Sequence, residues 1–331
     1  MQASGKNAGL GLALVSAVAF GGSGVAAKPL IEAGLDPLHM VWLRVAGAAL
    51  VLSPLAWRHR DLIVRRPALL AGFGLVAVAG VQAFYFASLS RIPVGVALLL
   101  EYLGPALLLG YIRFVQRKPV TRGAAAGAAV AVVGLACVVE IWAGLRLDLL
   151  GVLFGLCAAL CQAFYFVFAD QGADGDDAPD PLGVIAYGML VGALVMTVIA
   201  RPWEMDWQVL GGEAAVGGTM VPAPVLLGWV VLIATVFAYV TGVVSVRRLS
   251  PQVAGVVAFL EAVVATVLAW ILLGEHLSTW QIVGGGLVLG GAFIAQSSRP
   301  APSPSTAPAP APAPAAAAAD PAVVDRETAR A

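Results

Sequence analysis

Charge is what this chain has least of. Asp, Glu, Lys and Arg make up 11% of its 331 residues, against about 25% in a typical soluble domain. So little polar surface could not cover a globule in water. With lipid as solvent the difficulty disappears, so a composition that is 60% hydrophobic points to a membrane protein. The few charges also cancel, 19 basic against 19 acidic, and no basic excess is left to hold nucleic-acid phosphates.

Chemistry-bearing residues are as scarce. Three cysteines, Cys137, Cys157 and Cys161, make no disulfide framework. Cys157 and Cys161 share a helix face, but no His or Cys pair completes a metal site, so they read as small packing residues. His39, His59 and His276 lie far apart near span ends, and no zinc motif joins them. No G-K-[ST] phosphate loop occurs, so the chain is not itself an ATPase. Gly22–Ala27 fits G-x-G-x-x-A, but within an apolar helix and with no strand before it, so it is not a dinucleotide site. Asp170, Asp174, Asp176, Asp177 and Asp180 lack the closing Glu of an EF-hand and read as a solvated loop. No paired carboxylates or His/Asp cluster at one membrane face suggest an enzyme, and no cofactor or metal is implied.

What the chain has is long apolar runs. A membrane helix needs about 20 apolar residues, and ten segments qualify: 9–27, 38–57, 68–87, 94–113, 123–142, 149–168, 182–200, 223–244, 252–273 and 279–297. The first follows Lys6 like a signal peptide but continues to about Ala27 without a clear cleavage site, so it reads as a membrane helix. Pro37 and Pro181 each follow an Asp and preset a first helical turn. From Arg299 the chain alternates Ala and Pro, a composition with no core to bury, and 299–331 reads as a disordered tail.

Lys and Arg set the orientation. With the N-terminus inside, Lys6, Arg58, Arg60, Arg65, Arg66, Arg113, Arg117, Lys118, Arg122, Arg247 and Arg248 are cytoplasmic, while Lys28, Arg91, Arg146 and Arg201 lie outside. Both termini are then cytoplasmic. The halves also align. A shift of 157 lays Ser88 on Ser245, Arg91 on Arg248, Ala97 on Ala254, Thr121 on Ser278, Gly127 on Gly284 and Gly134 on Gly291. A shift of 144 lays Asp36-Pro37 on Asp180-Pro181. Five spans per copy is odd, so the second copy is inverted, and the basic bias of the loops reverses between copies as inversion demands. The fold expected is an all-α membrane protein of ten transmembrane helices in two inverted five-helix repeats, 8–142 and 149–298. Two copies facing opposite ways can open a midplane site to either side in turn.

The ten-span plan over roughly 8–298 resembles the EamA-type drug/metabolite transporters. The likeness is carried by PLHMVWLR (37–44), RIPVGVALLLEYLGP (91–105), LSPQVAGVVAFLEAVVATVLAWILLGEHL (249–277) and the Gly-rich closing helix from Gly284. The stretch GVALLLEYLGP is similar to the threonine/homoserine exporter branch, which implies amino-acid-like substrates. Two departures stand out. Glu261-Ala262 replaces the family's common Glu-Pro, while Pro105 is kept in the first repeat, so the ninth helix should be straighter than the fourth. Lys118 replaces the usual Glu after the fourth helix, while Glu275 remains in the second repeat.

Few ionisable residues lie deep in spans, where a charge costs about 2.5–3.5 kcal/mol on insertion scales. Arg44 and Glu101 each lie about 10 Å below one membrane face. They form either a substrate site, with Arg44 meeting a carboxylate and Glu101 an amine or a proton, or a fixed ion pair locking two helices. Glu261 is nearest the midplane, flanked at helical spacing by Ala254, Ala258 and Ala265, so it faces protein or a cavity. It serves either proton or substrate coupling or a structural hydrogen bond. Gln82 with Tyr85, and Gln162 with Tyr165, are Gln-x-x-Tyr pairs on single helix faces. They line a polar cavity or bond neighbouring backbone, and Tyr102 is a further candidate. Glu140 reads as interfacial, as do Trp57, Trp142, Trp203, Trp207 and Trp280. The expectation is a secondary transporter, an exporter of small metabolites such as amino acids driven by protons, with lipid and a small-molecule substrate as partners. The oligomeric state stays open, a homodimer included. A non-transporting scaffold or sensor is the alternative.

Overall fold

The structure, a computed structural model, describes residues 2–117, 119–140, 142, 147–172, 179–246 and 251–298. Side chains at 2–8, 165–172, 246, 251–259 and 296 fall outside the description, as do the expected tail 299–331 and residues Lys118, Arg146, Asp174, Asp176, Asp177, Arg247 and Arg248. The described chain is overwhelmingly helical. Its main elements are α1 (Gln2–Glu32), α2 (Pro37–Arg58), α3 (Pro67–Leu89), α4 (Val94–Val115), α5 (Arg122–Val139), α6 (Leu149–Gly172), α7 (Pro181–Ala200), α8 (Ala223–Ser245), α9 (Pro251–Leu273) and α10 (Thr279–Ser297). Among the described residues, seven helices are long and apolar enough to cross a membrane. In α6, α9 and α10 the described apolar stretches are the shorter Leu149–Phe164, Leu260–Leu273 and Thr279–Ala295.

Side-chain caps start the helices where the sequence places polar residues. Asp36 Oδ1 accepts from Leu38 N and Asp180 Oδ1 from Leu182 N, both at 2.8 Å, with Pro37 and Pro181 in the first turn. Thr121 Oγ1 accepts from Ala124 N (3.2 Å) to start α5. Ser278 and Gln281 form a reciprocal capping box at the start of α10. Asp148 Oδ1 caps α6 through Leu150 N and Gly151 N. The Gly151 N–H, and then Arg91, hold the Asp148 carboxyl below its usual range.

Three helices depart from α geometry. Pro105 cannot donate to Glu101 O, and α4 breaks at Tyr102–Leu103 between Val94–Glu101 and Gly104–Gly110. With Ala262 where the family has Pro, α9 is continuous from Pro251 to Leu273. π-helical turns run over Phe73–Gly80 in α3, Tyr111–Val115 in α4 and Trp229–Phe237 in α8. The all-α expectation also needs correction between α7 and α8. There a two-stranded hairpin forms, β1 (Glu213–Val216) with β2 (Thr219–Pro222), closed by Gly217 and Gly218 at φ 57° and 81°. Two successive positive φ values make the tight turn that suits hairpin twist, and glycine is the residue that adopts them freely.

Packing depends on small residues. α5 and α10 cross antiparallel with backbones touching. A Cβ on Gly127 would lie 2.6 Å from Gly291 O, and one on Gly134 would lie 2.7 Å from Gly284 O. Such approach maximises dispersion contact where lipid supplies no hydrophobic drive. The ends of this pair are stitched together. Thr121 Oγ1 donates to Ser298 O (2.8 Å), and Ser278 Oγ donates to Glu140 Oε1. Glu140, at the end of its span, is therefore a buried acceptor. The five tryptophans assigned to interfaces are all exposed. Elsewhere α1 packs on α8 and α9, α6 on α3 and α4, α2 on α7 and α8, and α7 on α3.

Gly134→Leu should lower stability by about 1–3 kcal/mol, the usual cost of overpacking. Gly286→Ala, whose new Cβ would meet open space inside the helix, should not lower it and should raise it by about 0.5–1 kcal/mol. Thermal melting of both variants in detergent, followed by tryptophan fluorescence, checks this. Equal melting of the two would show that the crossing does not need a bare backbone.

Candidate functional site

A cavity of about 180 Å³ lies inside the bundle. Its walls come from α1 (Phe20, Ser23), α2 (Arg44), α3 (Gln82, Tyr85), α4 (Leu98, Glu101, Tyr102), α6 (Gln162), α8 (Tyr239) and α9 (Glu261). Of the eight residues singled out from sequence, seven line it: Arg44, Gln82, Tyr85, Glu101, Tyr102, Gln162 and Glu261. The Tyr165 side chain lies outside the described residues.

Arg44 organises one wall. It is 3% exposed, and a buried guanidinium needs its donors satisfied by protein. Nε donates to Thr235 Oγ1, and Nη1 donates to Ser23 Oγ and to Gln82 Oε1, each at 2.8 Å. Nη2 reaches Ala234 O at 3.4 Å, and the Phe86 ring lies 5.5 Å from Cζ. The partners come from α1, α3 and α8, so one side chain ties three helices to α2. Two of them owe their position to local irregularity. Ala234 and Thr235 sit in the π-helical stretch of α8, and the Thr235 hydroxyl donates onward to Val230 O, five residues back (2.7 Å). Such stretches free backbone oxygens and recur at functional sites.

The same cavity is lined by two carboxylates, Glu101 and Glu261. Tyr102 Oη donates to Glu261 Oε2 at 3.2 Å. Glu101 stands at the end of the first half of α4, where Pro105 breaks the helix. It makes no hydrogen bond or ion pair with any described residue. The ion pair considered between Arg44 and Glu101 is not formed. Both residues line one cavity, but every hydrogen bond of Arg44 goes to a neutral group. One guanidinium therefore shares a small polar cavity with two carboxylates, a set of groups that can hold a zwitterion by both ends.

Sequence reading missed Ser23, Thr235, Phe20, Leu98 and Tyr239. Ser23 lay in the discarded G-x-G-x-x-A stretch. Thr235 is the lone hydroxyl of the α8 π-helical stretch WVVLIATVF, and a single polar residue in such a run was the available signal. Glu275, noted only as a retained family residue, is held at one end of the bundle, away from this cavity. Among the described residues no group of three His, Cys, Asp or Glu could hold a metal ion.

Comparison with known proteins gives the context. The model of the EamA-like transporter family matches residues 7–140 and again 149–296. The threonine/homoserine exporter RhtA of Escherichia coli (strain K12) is 27% identical over 250 residues, 75% of this chain and 77% of that protein. RhtA of Salmonella typhimurium (strain LT2) is 28% identical over 244 residues, 73% of this chain and 75% of that one. An uncharacterized transporter of Archaeoglobus fulgidus is 24% identical over 263 residues, 79% and 87% of the two chains. A solved crystal structure shares the fold, with a TM-score of 0.54 at 20% identity over 88% of this chain and 97% of its own.

Arg44→Lys keeps the charge but cannot reach Ser23, Gln82 and Thr235 together. It should cost about 1–3 kcal/mol of stability, read as a lower melting temperature in detergent. Unchanged melting would show that the three bonds do not hold the helices.

Proposed function

We propose that this chain, which belongs to the EamA-like transporter family, is a proton-coupled exporter of amino-acid-like metabolites in the cell membrane. The family establishes a multi-pass membrane transporter acting on a small molecule. The observation that carries the finer reading is the cavity itself, lined by Arg44 together with Glu101 and Glu261. Arg44 receives the substrate carboxylate, and Glu101 with Glu261 receives its ammonium. The printed names of the RhtA relatives, threonine/homoserine exporters, support an amino-acid cargo.

Charge balance suggests the coupling. With all three groups ionised the cavity carries one net negative charge, which is expensive in a lipid-embedded site. One proton neutralises it; a zwitterionic substrate adds no net charge, but its ammonium competes with that proton for the same carboxylates while its carboxylate goes to Arg44. A site that takes either in turn exchanges substrate for protons across the membrane. A scaffold or sensor without transport would have no use for this buried charge, so that alternative is less favoured.

The alternating movement calls for two inverted repeats, 8–142 and 149–298, and five features support them. The family model matches the chain twice. Exchanging the halves maps the helix contacts onto one another: α1 on α9 becomes α6 on α4, α1 on α8 becomes α6 on α3, and α2 on α8 becomes α7 on α3. The glycine contact 127–291 becomes 284–134. The π-helical stretch Phe73–Gly80 has its counterpart in Trp229–Phe237. The bond from Thr121 to the end of α10 has its counterpart in the bond from Ser278 to the end of α5. Two five-helix copies make ten crossings, with both termini in the cytoplasm as the basic loops require.

Purified protein in proteoliposomes should move radiolabelled threonine against a pH gradient. Glu101→Gln and Glu261→Gln should each fold, and each should slow that movement on the order of tenfold or more. Full gradient-driven transport in both variants would remove the carboxylates from the coupling step.

A further inference from the structure

At one end of the bundle, three helices meet at one ion pair. Lys28, near the end of α1, lies 2.6 Å from Glu275 Oε1, just beyond α9. Both side chains are mostly buried, at 14% and 13% exposure. The second oxygen, Glu275 Oε2, accepts the Val94 N–H that opens α4 (2.8 Å), where a helix N-terminus favours a carboxylate. Lys28 Nζ also donates to Ile92 O (3.2 Å), just before α4. The ends of α1, α4 and α9 are thereby clasped, and each of these helices contributes to the wall of the cavity. The β1–β2 hairpin lies over the same end, with its tip glycine Gly217 against Leu272 O.

The inverted counterpart of this clasp would close the opposite, cytoplasmic end, and the sequence denies it every part. Val94 corresponds to Pro251, which has no N–H to give. Glu275 corresponds to Lys118, which cannot accept. Lys28 corresponds to Gly172, which has no charge. This does not depend on the alignment register, since no Lys or Arg occurs between 147 and 200 and no Asp or Glu between 102 and 139. The ion pair described at the cytoplasmic end, His59 Nε2 with Asp180 Oδ2 at 3.9 Å, is looser, more exposed, and joins α2 to α7 instead.

We infer that Lys28, Glu275 and the Val94 N–H form a one-sided latch that holds the outer end shut and makes the cytoplasm-facing state the resting one. The inference rests on the transporter reading above and adds a direction to it. A carrier closed outside at rest loads from the cytoplasm, and the outer end opens only when the latch is broken, a cost that no copy of the same latch repeats at the cytoplasmic end. A preference of this kind shifts populations between the two states without altering the binding residues.

Accessibility of the cavity tests this. Cys137, Cys157 and Cys161 are replaced by Ala, Leu98→Cys is placed in the cavity wall, and the full chain is reconstituted with known orientation. A membrane-impermeant cationic methanethiosulfonate is then applied from either side. With the latch intact, labelling should be fast from the cytoplasmic side and slow from the outside. Lys28→Met and Glu275→Gln should raise the outside rate on the order of tenfold, and Lys28→Arg, which keeps the charge, should leave it slow. An outside rate equal in all four chains, or an intact chain labelled faster from outside, would overturn the latch. Threonine flux in the same vesicles reads the transporter assignment separately. Latch-dependent labelling without flux would discard the amino-acid reading and leave the latch standing. Flux with labelling indifferent to the latch would do the reverse.

Discussion

A guanidinium that is 3% exposed inside a bundle of apolar helices draws its partners from the protein. Arg44 finds them in Ser23, Gln82, Thr235 and Ala234 O. Those partners belong to α1, α3 and α8, so satisfying one side chain fixes where four helices stand. The cavity is the space left on the far side of that arrangement. Because the partners are neutral, the positive charge is not cancelled where it is made. It remains in the cavity that Glu101 and Glu261 also line. Had Arg44 paired with Glu101, the two would have stabilised each other and left little field for a ligand.

The helices were legible because lipid imposes a length and a hydropathy on anything that crosses it. The expected span 38–57 became Pro37–Arg58, and 182–200 became Pro181–Ala200, with the Asp caps where the dipeptides placed them. The hairpin was missed although Gly217-Gly218 stands between two short apolar stretches, because a hairpin of four-residue strands carries too little alternation to register. The π-helical turns left no trace in a sequence that is apolar throughout.

The candidate residues were legible for a different reason. A polar residue deep in a membrane span is costly, so each one stands out, and gathering such residues in one place is the least costly way to bury them. That reasoning yields the membership of the cavity but not its internal bonds. Helical rotation decides whether Arg44 meets Glu101 or Thr235, and sequence depth along two helices does not determine rotation. Ser23 and Thr235 were overlooked because hydroxyls are common in membrane helices and cost little, so they do not announce a role.

The π-helical stretches of α3 and α8 carry a further consequence. A π turn takes up more residues than the α turn it replaces. A helix containing one therefore holds spare chain length that is not committed to rise. Where that slack lies along the helix sets how the segments on either side are rotated against each other. In α3 the stretch ends two residues before Gln82, and in α8 it includes Thr235 and ends two residues before Tyr239. The side chains facing the cavity from these two helices can thus be re-aimed by moving the slack a residue or two, while the hydrogen-bonded ladder beyond it stays intact and the helix ends stay anchored in the membrane.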